Sequence, residues 1–555
     1  MSHLNLYGEL PTSPVVFAAC DSKYFIDHAA AFVKSSARAG KDVHIHVINP
    51  TDQVFALACV LNSIVDTRIT YTFNDHKVSE NPEEARTLYA CLRFLVLPEV
   101  LKSAKKVLTL DIDCMVMRSF DFPCEDLGYF PRKCFGNSDW ERRGTRVLAG
   151  VFYSSIEGLE VCVELSNKML AAKRQWYIDQ IIIADTFEAI DSKYSIRKFD
   201  TSFMDWEFIE GTVIWTGKGP RKYDNPIYVN KKDSISELNL AKYKKVLLKP
   251  RLDIPFKKFG LFKCNSFHQD IRKYWQQFCD VFIKEFPDAL LVESPNWMLN
   301  NKIENYFSEK CCFYVPHKEA RSWGKGNNLF YMQTVFPWLF TLDVIGWGGG
   351  ADFINSFDKN ADYNDSFFNK LKDYINKGGS KFKQPTTNNN LNDLKEDFIF
   401  VPLQIPHDMV IKYHSNVSCE EFVEALCAWA DQPNNPKILF KPHPANLQSM
   451  TPLKNIIKKY NNVLYLDFDI HVHEAIRASS AVYVINSGVG QEAMLLDKPV
   501  VAFGQAEYSS AVISGDINNL KDCWQKVIKN NKLQMEKMYR RWYYWYETNL
   551  IDVSQ

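Results

Sequence analysis

VLTLDIDCM, Val107 to Met115, is the stretch on which the reading of this chain turns. Apolar side chains run through Val107, Leu108 and Leu110, and the run stops at Asp111-Ile112-Asp113. A short apolar run bounded in this way reads as a buried strand. A strand ending in two carboxylates one residue apart presents acidic oxygens at the carboxyl edge of a sheet, where open α/β folds bind their ligands. Such oxygens can hold a hard divalent cation against a diphosphate. Asp-x-Asp alone is equally a pair of solvated loop carboxylates. The apolar strand before it and the pattern around it favour a site.

Outward from this segment, strand-like and helix-like runs alternate. VVFAAC, an amphipathic stretch from Ile26 to Ala39, DVHIHVIN, a helix near Val54 to Asn62, RITYTF and a helix from Pro82 to Leu101 precede it. VLAGVFYSS, a helix from Leu159 to Lys173 and VIWTG follow. This alternation predicts an α/β layer structure with a mostly parallel sheet, taking residues 1–230 as a first domain. The charged stretch 231–250 reads as a linker or bridging helix. A second α/β series (ALLVESP, CFYVPH, TLDVIGW) covers 251–397, with a polar, partly flexible or inserted connection at 358–397. A third series, FIFVPLQ, KILFKPHP, VLYLDFD, AVYVIN and PVVAFG, fills 398–555.

Composition narrows the function classes. The chain has 555 residues, too many for one ordinary core, so several domains are expected. Lys plus Arg and Asp plus Glu are both 66, a balance that argues against a general nucleic-acid binder. No uninterrupted apolar run reaches the length of a membrane span, and the N-terminus lacks the regions of a signal peptide, so a cytoplasmic location is expected. The 14 cysteines are scattered, none as Cys-x-x-Cys, and read as buried free thiols rather than zinc ligands. The pattern does not set the oligomeric state.

Around the aspartate pair stand the parts of a first pocket. Ala18 and Asp21 close the first strand, where a carboxylate can accept hydrogen bonds from a base or ribose. Arg86, Tyr89 and Arg93 share one face of the long helix, and an arginine there can reach a diphosphate bidentately. Gly150 would let a sugar approach the backbone, and Asp179-Gln180 could contact a sugar. Trp215-Thr216-Gly217-Lys218-Gly219-Pro220-Arg221-Lys222 is a glycine-bearing basic loop whose Lys218 and Arg221 could close over a diphosphate and exclude water.

This ordered set resembles glycosyltransferases of the GT-A fold, nearest to the family 8 type of glycogenin and lipopolysaccharide galactosyltransferases. The resemblance covers roughly the first 230 residues. It implies that Asp111 and Asp113 bind manganese or magnesium, that Ala18 and Asp21 hold the nucleoside and Arg86 the phosphate side, and that Asp179 acts on the sugar at the reaction centre. The family places a histidine near the late glycine loop as a third metal ligand. Here Ile214, Trp215 and Thr216 occupy that neighbourhood.

A second pocket is written in the third series. KILFKPHP puts Lys441 and His443 at a strand end, and Asn486-Ser487-Gly488-Val489-Gly490 opens a helix with backbone N–H groups available to phosphate. Glu492, one turn on, could accept from ribose hydroxyls. A histidine at a strand end also serves as a cap. VPLQ, KPHP, HEAI and NSGVGQEAMLLDKPVVAFG together resemble the capsule-polysaccharide transferases that add Kdo, whose fold is GT-B-like. The resemblance implies phosphate binding by Lys441, His443, Ser487 and Gly488, ribose binding by Glu492, a CMP-activated sugar acid and no metal. The half before it leaves the catalytic carboxylate open among Glu293, His317, Glu319 and Asp352, beside a glycine run at 346–350.

The expected architecture is therefore an N-terminal GT-A domain followed by a GT-B-like pair of Rossmann-like halves. The expected activity is a bifunctional glycosyltransferase moving sugars from nucleotide-sugar donors to a growing glycan. The alternatives are one active GT-A transferase with a degenerate C-terminal module, and a non-catalytic glycan-binding scaffold.

Overall fold

In the computed structural model, residues 5–132, 146–173, 175–190, 193–240, 243–252, 269–307, 311–324, 326–385, 397–406, 408–444, 446, 449–466 and 470–554 are described. They form two compact units. The first is Met1–Lys244 with Lys249–Ser266 and Leu290–Glu309; the second is Lys245–Leu248, Phe267–Ala289 and Lys310–Gln555. Leu290–Glu309, which the sequence pattern groups with the second α/β series, thus packs into the first unit.

Up to residue 244 the strands of the first unit are β1 (Tyr7–Gly8), β2 (Val15–Asp21), β3 (Asp42–Ile48), β4 (Ile69–Asn74), β5 (Lys106–Leu110), β6 (Cys114–Val116), β7 (Leu127–Pro131), β8 (Val147–Ser155), β9 (Ile196–Lys198), β10 (Met204–Asp205) and β11 (Ile214–Thr216). The main sheet runs β1-β4-β3-β2-β5-β8-β7-β9. β4, β3, β2 and β5 are parallel. β7 and β9 run in the same direction as these four, so the sheet is mostly parallel, as expected, with β8 reversed between β5 and β7 and β1 reversed at the edge. Strand direction is not encoded in apolar content, and VLAGVFYSS reads the same either way.

Helices cover the sheet on both faces, which is why Val15 to Cys20 are all buried. The Ser22–Arg38 helix starts at Asp21, whose side chain accepts from the Tyr24 N–H at 2.8 Å. The Pro82–Ala104 helix has Asn81 as its cap and Pro82 at its first turn. A second, small sheet, β10-β11-β6, pairs Cys114 with Thr216. That ladder carries the late glycine loop to the aspartate pair.

The stretch 231–250, read from its charge as a linker or bridging helix, overlaps one helix and one strand among the described residues. Pro226–Ser236 is a helix capped by Asn225, with Tyr228 and Ile235 buried, and β12 (Lys245–Pro250) follows. Two apolar residues one helical repeat apart are enough to seat an otherwise charged helix. β13 (Leu290–Ser294) belongs to the first unit, where Ser294 Oγ accepts from Cys59 Sγ at 2.9 Å.

In the second unit β12 pairs in parallel with β14 (Cys312–Pro316), which pairs with β15 (Leu329–Gln333); β16 (Leu339–Asp343) then runs antiparallel. The other sheet contains β17 (Phe398–Pro402), β18 (Lys437–Lys441), β19 (Val463–Tyr465), β20 (Ala481–Val484), β21 (Val500–Ala502) and β22 (Ile513–Ser514). Its order is β19-β18-β17-β20-β21-β22, and every pairing is parallel. Counted along the chain this is 3-2-1-4-5-6, the doubly wound order whose switch point lies between β17 and β20. The last strand, β23 (Leu550–Asp552), returns to pair with β16.

The polar connection expected at 358–397 contains a helix, Ser366–Asn376, with Phe367, Phe368, Leu371 and Ile375 buried. Those four positions make one apolar stripe, which anchors the segment to the core. The same core takes Tyr539, Trp542, Tyr543 and Tyr546 of the Lys532–Glu547 helix. Residues 386–396 lie outside the described ones.

Candidate active sites

The first site is built where β5 ends. Arg93, buried on the Pro82–Ala104 helix, joins two carboxylates: its Nη1 lies 2.8 Å from Asp111 Oδ1 and its Nη2 3.5 Å from Asp179 Oδ2. The same Nη2 donates to the Ala149 carbonyl at 3.0 Å. Asp179 sits in the first turn of the Ile178–Ala189 helix. Burial pushes its pKa up while Arg93 opposes the shift. A Cβ on Gly150 would stand 3.1 Å from Asp111 Oδ2, so glycine at this place in β8 leaves the carboxylate its room.

Asp113 is engaged from the other side. Lys222 Nζ donates to Asp113 Oδ2 at 2.5 Å. The Gly217 N–H donates to the Asp113 carbonyl at 3.1 Å, and the Tyr228 hydroxyl to the same oxygen at 2.6 Å. A Cβ on Gly217 would come within 2.6 Å of Lys222 Cβ and 2.9 Å of the Tyr228 ring. The glycine is therefore what lets Lys222 lie across the loop. Lys222 also reaches the Tyr24 hydroxyl at 3.4 Å and stacks on that ring. Burial draws its pKa down, but the Asp113 charge outweighs this and the net shift is upward.

Lys218 has no carboxylate within ion-pair distance among the described residues. It lies over the Trp206 ring, 4.2 Å from the centroid. Burial, then the charges of Arg132 and Arg221, pull its pKa down to about 8, against Asp111 and Glu207. Arg221 is paired with Glu207 at 3.2 Å. The loop thus sets three cations beside three carboxylates, an arrangement that can seat an anion carrying hydroxyl groups.

The remaining predicted residues take varied places. Ala18 is fully buried inside β2. Asp21 is spent in part on its helix cap. Arg86 is exposed near the start of its helix, whereas Arg93, two turns on, is the arginine that meets Asp111. The sequence placed Arg93 on the right face but gave it no partner. Its role as a hub, the Lys222–Asp113 pair and the Trp206 platform depend on long-range contacts that no local motif announces.

The donor set does not fit a resident divalent ion. Asp111 faces Arg93 and Asp113 faces Lys222. Ile214, in the neighbourhood where the family resemblance expects a histidine, is a buried strand residue opposite Val116. Asp113 Oδ1 is buried with no hydrogen-bond partner and Asp111 Oδ2 faces the room that Gly150 leaves, but two carboxylate oxygens without a third side chain are an incomplete ligand set. Among the described residues no three His, Cys, Asp or Glu side chains are grouped to hold a metal.

The second site gathers at the switch point of the 3-2-1-4-5-6 sheet. Gln404, after β17, and Asn486, after β20, exchange hydrogen bonds of 3.0 and 3.1 Å. Ser487 follows; its carbonyl accepts from the buried Tyr508 hydroxyl. A Cβ on Gly488 would overlap Val335 Cγ1 at 2.0 Å. Lys441, at the end of β18, is buried, which lowers its pKa. The His443 ring meets the edge of Phe382, centroids 5.0 Å apart. Glu492 is buried against His473, Oε1 to Nε2 3.0 Å. A cavity of about 440 Å³ beyond β21 and β22 is lined by His414, Ser415, Phe503, Gly504, Gln505 and Ser514 among others.

The open carboxylate candidates separate clearly. Glu293 is exposed on β13 in the first unit, and Asp352 is exposed in a short 3-10 turn. His317 stacks on Trp275, centroids 5.2 Å apart. Glu319 is buried between His414 Nε2 at 2.5 Å and Arg321 Nε at 2.8 Å. The glycine run packs on this group: a Cβ on Gly350 would meet His414 at 2.5 Å, and one on Gly349 the Gln505 carbonyl at 2.5 Å. Close packing inside the protein accounts for these glycines.

Residues 352–546 match the family of capsule polysaccharide biosynthesis proteins, a match that falls entirely within the second unit. Protein FixF of Sinorhizobium fredii is 31% identical over 119 residues, which are 21% of this chain and 29% of that protein. The chain thus spans less than a third of that relative. Among solved structures, the Thermosulfurimonas dismutans KpsC beta Kdo 2,7 transferase aligns with TM-score 0.32 and 15% identity, over 54% of this chain and 89% of its own. The galactosyltransferase LgtC aligns with TM-score 0.28 and 17% identity, over 40% and 94%. No described helix is long and apolar enough to cross a membrane.

Proposed function

We propose that this chain is a glycosyltransferase of surface-polysaccharide assembly, with one nucleotide-sugar pocket in each unit. The observation that carries the reading is the match of residues 352–546 to capsule polysaccharide biosynthesis proteins. It falls on a sheet whose order is 3-2-1-4-5-6, where Gln404 of VPLQ meets Asn486 of the NSG loop across the two switch-point strands. In the first unit, the cluster of Asp111, Asp113, Asp179, Arg93, Lys218 and Lys222 supports a second pocket for a nucleoside diphosphate sugar.

In that first pocket the bond between the anomeric carbon and the β-phosphate oxygen breaks, and its electron pair stays on the diphosphate. The acceptor hydroxyl oxygen bonds to the anomeric carbon, and its proton leaves with the diphosphate. Lys218 and Lys222 face the charge that grows on the leaving group, which is where fixed cations lower the barrier. Asp179, fixed by Arg93, faces the sugar. In the second pocket Lys441, His443, Ser487 and Gly488 hold the phosphate of a cytidine monophosphate sugar and Glu492 the ribose. Two sites on one chain would keep the intermediate glycan at high effective concentration.

The test is a panel of nucleotide sugars offered to the full chain with glycan acceptors, products read by mass spectrometry. Transfer of one sugar, lost in Asp179→Asn, and of a second, lost in His443→Ala, is the expected result. One transfer insensitive to every first-unit substitution would leave a single active module. Glycan binding without turnover of any donor would leave a scaffold.

A further inference from the structure

Asp113 has its nearest cation built in. Lys222 is held on it by the Asp113 carboxylate and by the hydroxyl and ring of Tyr24, and it lies where a Cβ on Gly217 would collide with its own Cβ. The Gly217 N–H and Tyr228 hydroxyl both bind the Asp113 carbonyl, so the turn that carries the carboxylate and the loop that carries the lysine form one piece. Asp111 is likewise held by Arg93. A divalent ion between these carboxylates would stand beside an ammonium and a guanidinium, with Ile214 in the neighbourhood where a third ligand is expected. Like charges at such range repel strongly in a partly buried site.

We infer that the first unit meets the charge of a nucleoside diphosphate with its own lysines, Lys222 and Lys218, and needs no divalent cation. This rests on the sugar-nucleotide reading of that unit given above. An ammonium has three N–H donors. Lys222 directs one to Asp113 and one toward Tyr24, which leaves one for a phosphate oxygen. Lys218, stacked on Trp206 without a carboxylate partner among the described residues, supplies a second cation from the same loop. The two aspartates then hold cations in place instead of ligating a metal.

The experiment uses the full chain, freed of metal with EDTA. Binding of UDP, GDP, ADP and dTDP is measured by calorimetry in EDTA and again in manganese chloride. The expected result is one of these nucleotides bound with the same affinity in both, within about twofold. Lys222→Met should weaken it about tenfold or more, and Lys222→Arg should keep most of it. Binding seen only with manganese would overturn the inference and leave the sugar-nucleotide reading standing. Binding in EDTA that Lys222→Met does not change would remove Lys222 from the role. No nucleoside diphosphate bound in either condition would overturn the functional reading itself. If Lys222→Met fails to fold, the EDTA and manganese comparison on the unaltered chain, with Lys222→Arg, decides the question.

Discussion

His473 Nε2 lies 3.0 Å from Glu492 Oε1, and both side chains are buried. The contact joins HEAI to GQEAM across 19 positions, and Glu492 lies on the helix that follows β20, one of the two switch-point strands. Glu492 is therefore presented by a partner and is not a carboxylate standing alone.

Removing one member of such a pair leaves the other buried and unsatisfied. Glu492→Ala and His473→Ala are each expected to destabilise the second unit by about 1–3 kcal/mol, and the double variant by less than their sum. Denaturant unfolding of the four proteins in the cycle measures this. Full additivity would show that the contact carries no coupling.

Arg93 holds two carboxylates in the first unit. Arg93→Ala is expected to cost about 3 kcal/mol, mainly because buried Asp179 loses the guanidinium that offsets its burial, while partly exposed Asp111 keeps Lys218 and Lys222 nearby. Arg93→Lys should recover only part, since an ammonium cannot span both as the guanidinium fork does. Chemical denaturation gives the ranking, and equal stability of all three proteins would exclude it.

Nucleoside diphosphate affinity in the first unit should fall as pH rises through about 8, the pKa to which burial and neighbouring arginines bring Lys218. The cation is the binding form, so affinity is full below that pH and is lost above it. Arg132 and Arg221 face this group as like charges, Asp111 and Glu207 as opposite ones. Between pH 7 and 9 the loss should reach up to about tenfold, less where bound phosphate itself holds the proton. Calorimetry across that range checks it, and Lys218→Arg should flatten the profile.

His44 and His46 are fully buried on β3 and bonded to Thr70, Thr72 and Asn74. Burial lowers their pKa values to about 3 and about 4. The unfolded chain takes up these protons near the ordinary histidine value of about 6.5. Stability is therefore complete above that pH and is lost as pH falls toward about 4, by a total on the order of several kcal/mol. Thermal melts of the unaltered chain and of His44→Gln/His46→Gln across pH 7 to 4 should show a shallower slope in the variant.

Gly217 clears the space across which Lys222 lies. Gly217→Ala should displace Lys222 and lower nucleoside diphosphate affinity about as much as Lys222→Met does, roughly tenfold. Unchanged binding would mean that the loop adjusts without cost.

Local pattern alone determined the α/β class, the strand that ends at Asp111, and the KPHP and NSG loops at strand ends. Those features follow from side-chain periodicity and from which residues tolerate turns, and both are written within a few positions. What the aspartates face was decided only by tertiary structure. The antiparallel β6–β11 ladder brings Lys222 to Asp113 from 109 positions away, and the helix face carrying Arg93 meets Asp179 across another fold of the chain. The same holds for β8, whose direction is invisible in its composition, and for the charged 226–236 stretch, which is a helix because Tyr228 and Ile235 find a core. A sequence fixes which groups are available and at what spacing; which cation neutralises which carboxylate depends on closure of long loops, and no local signal encodes that.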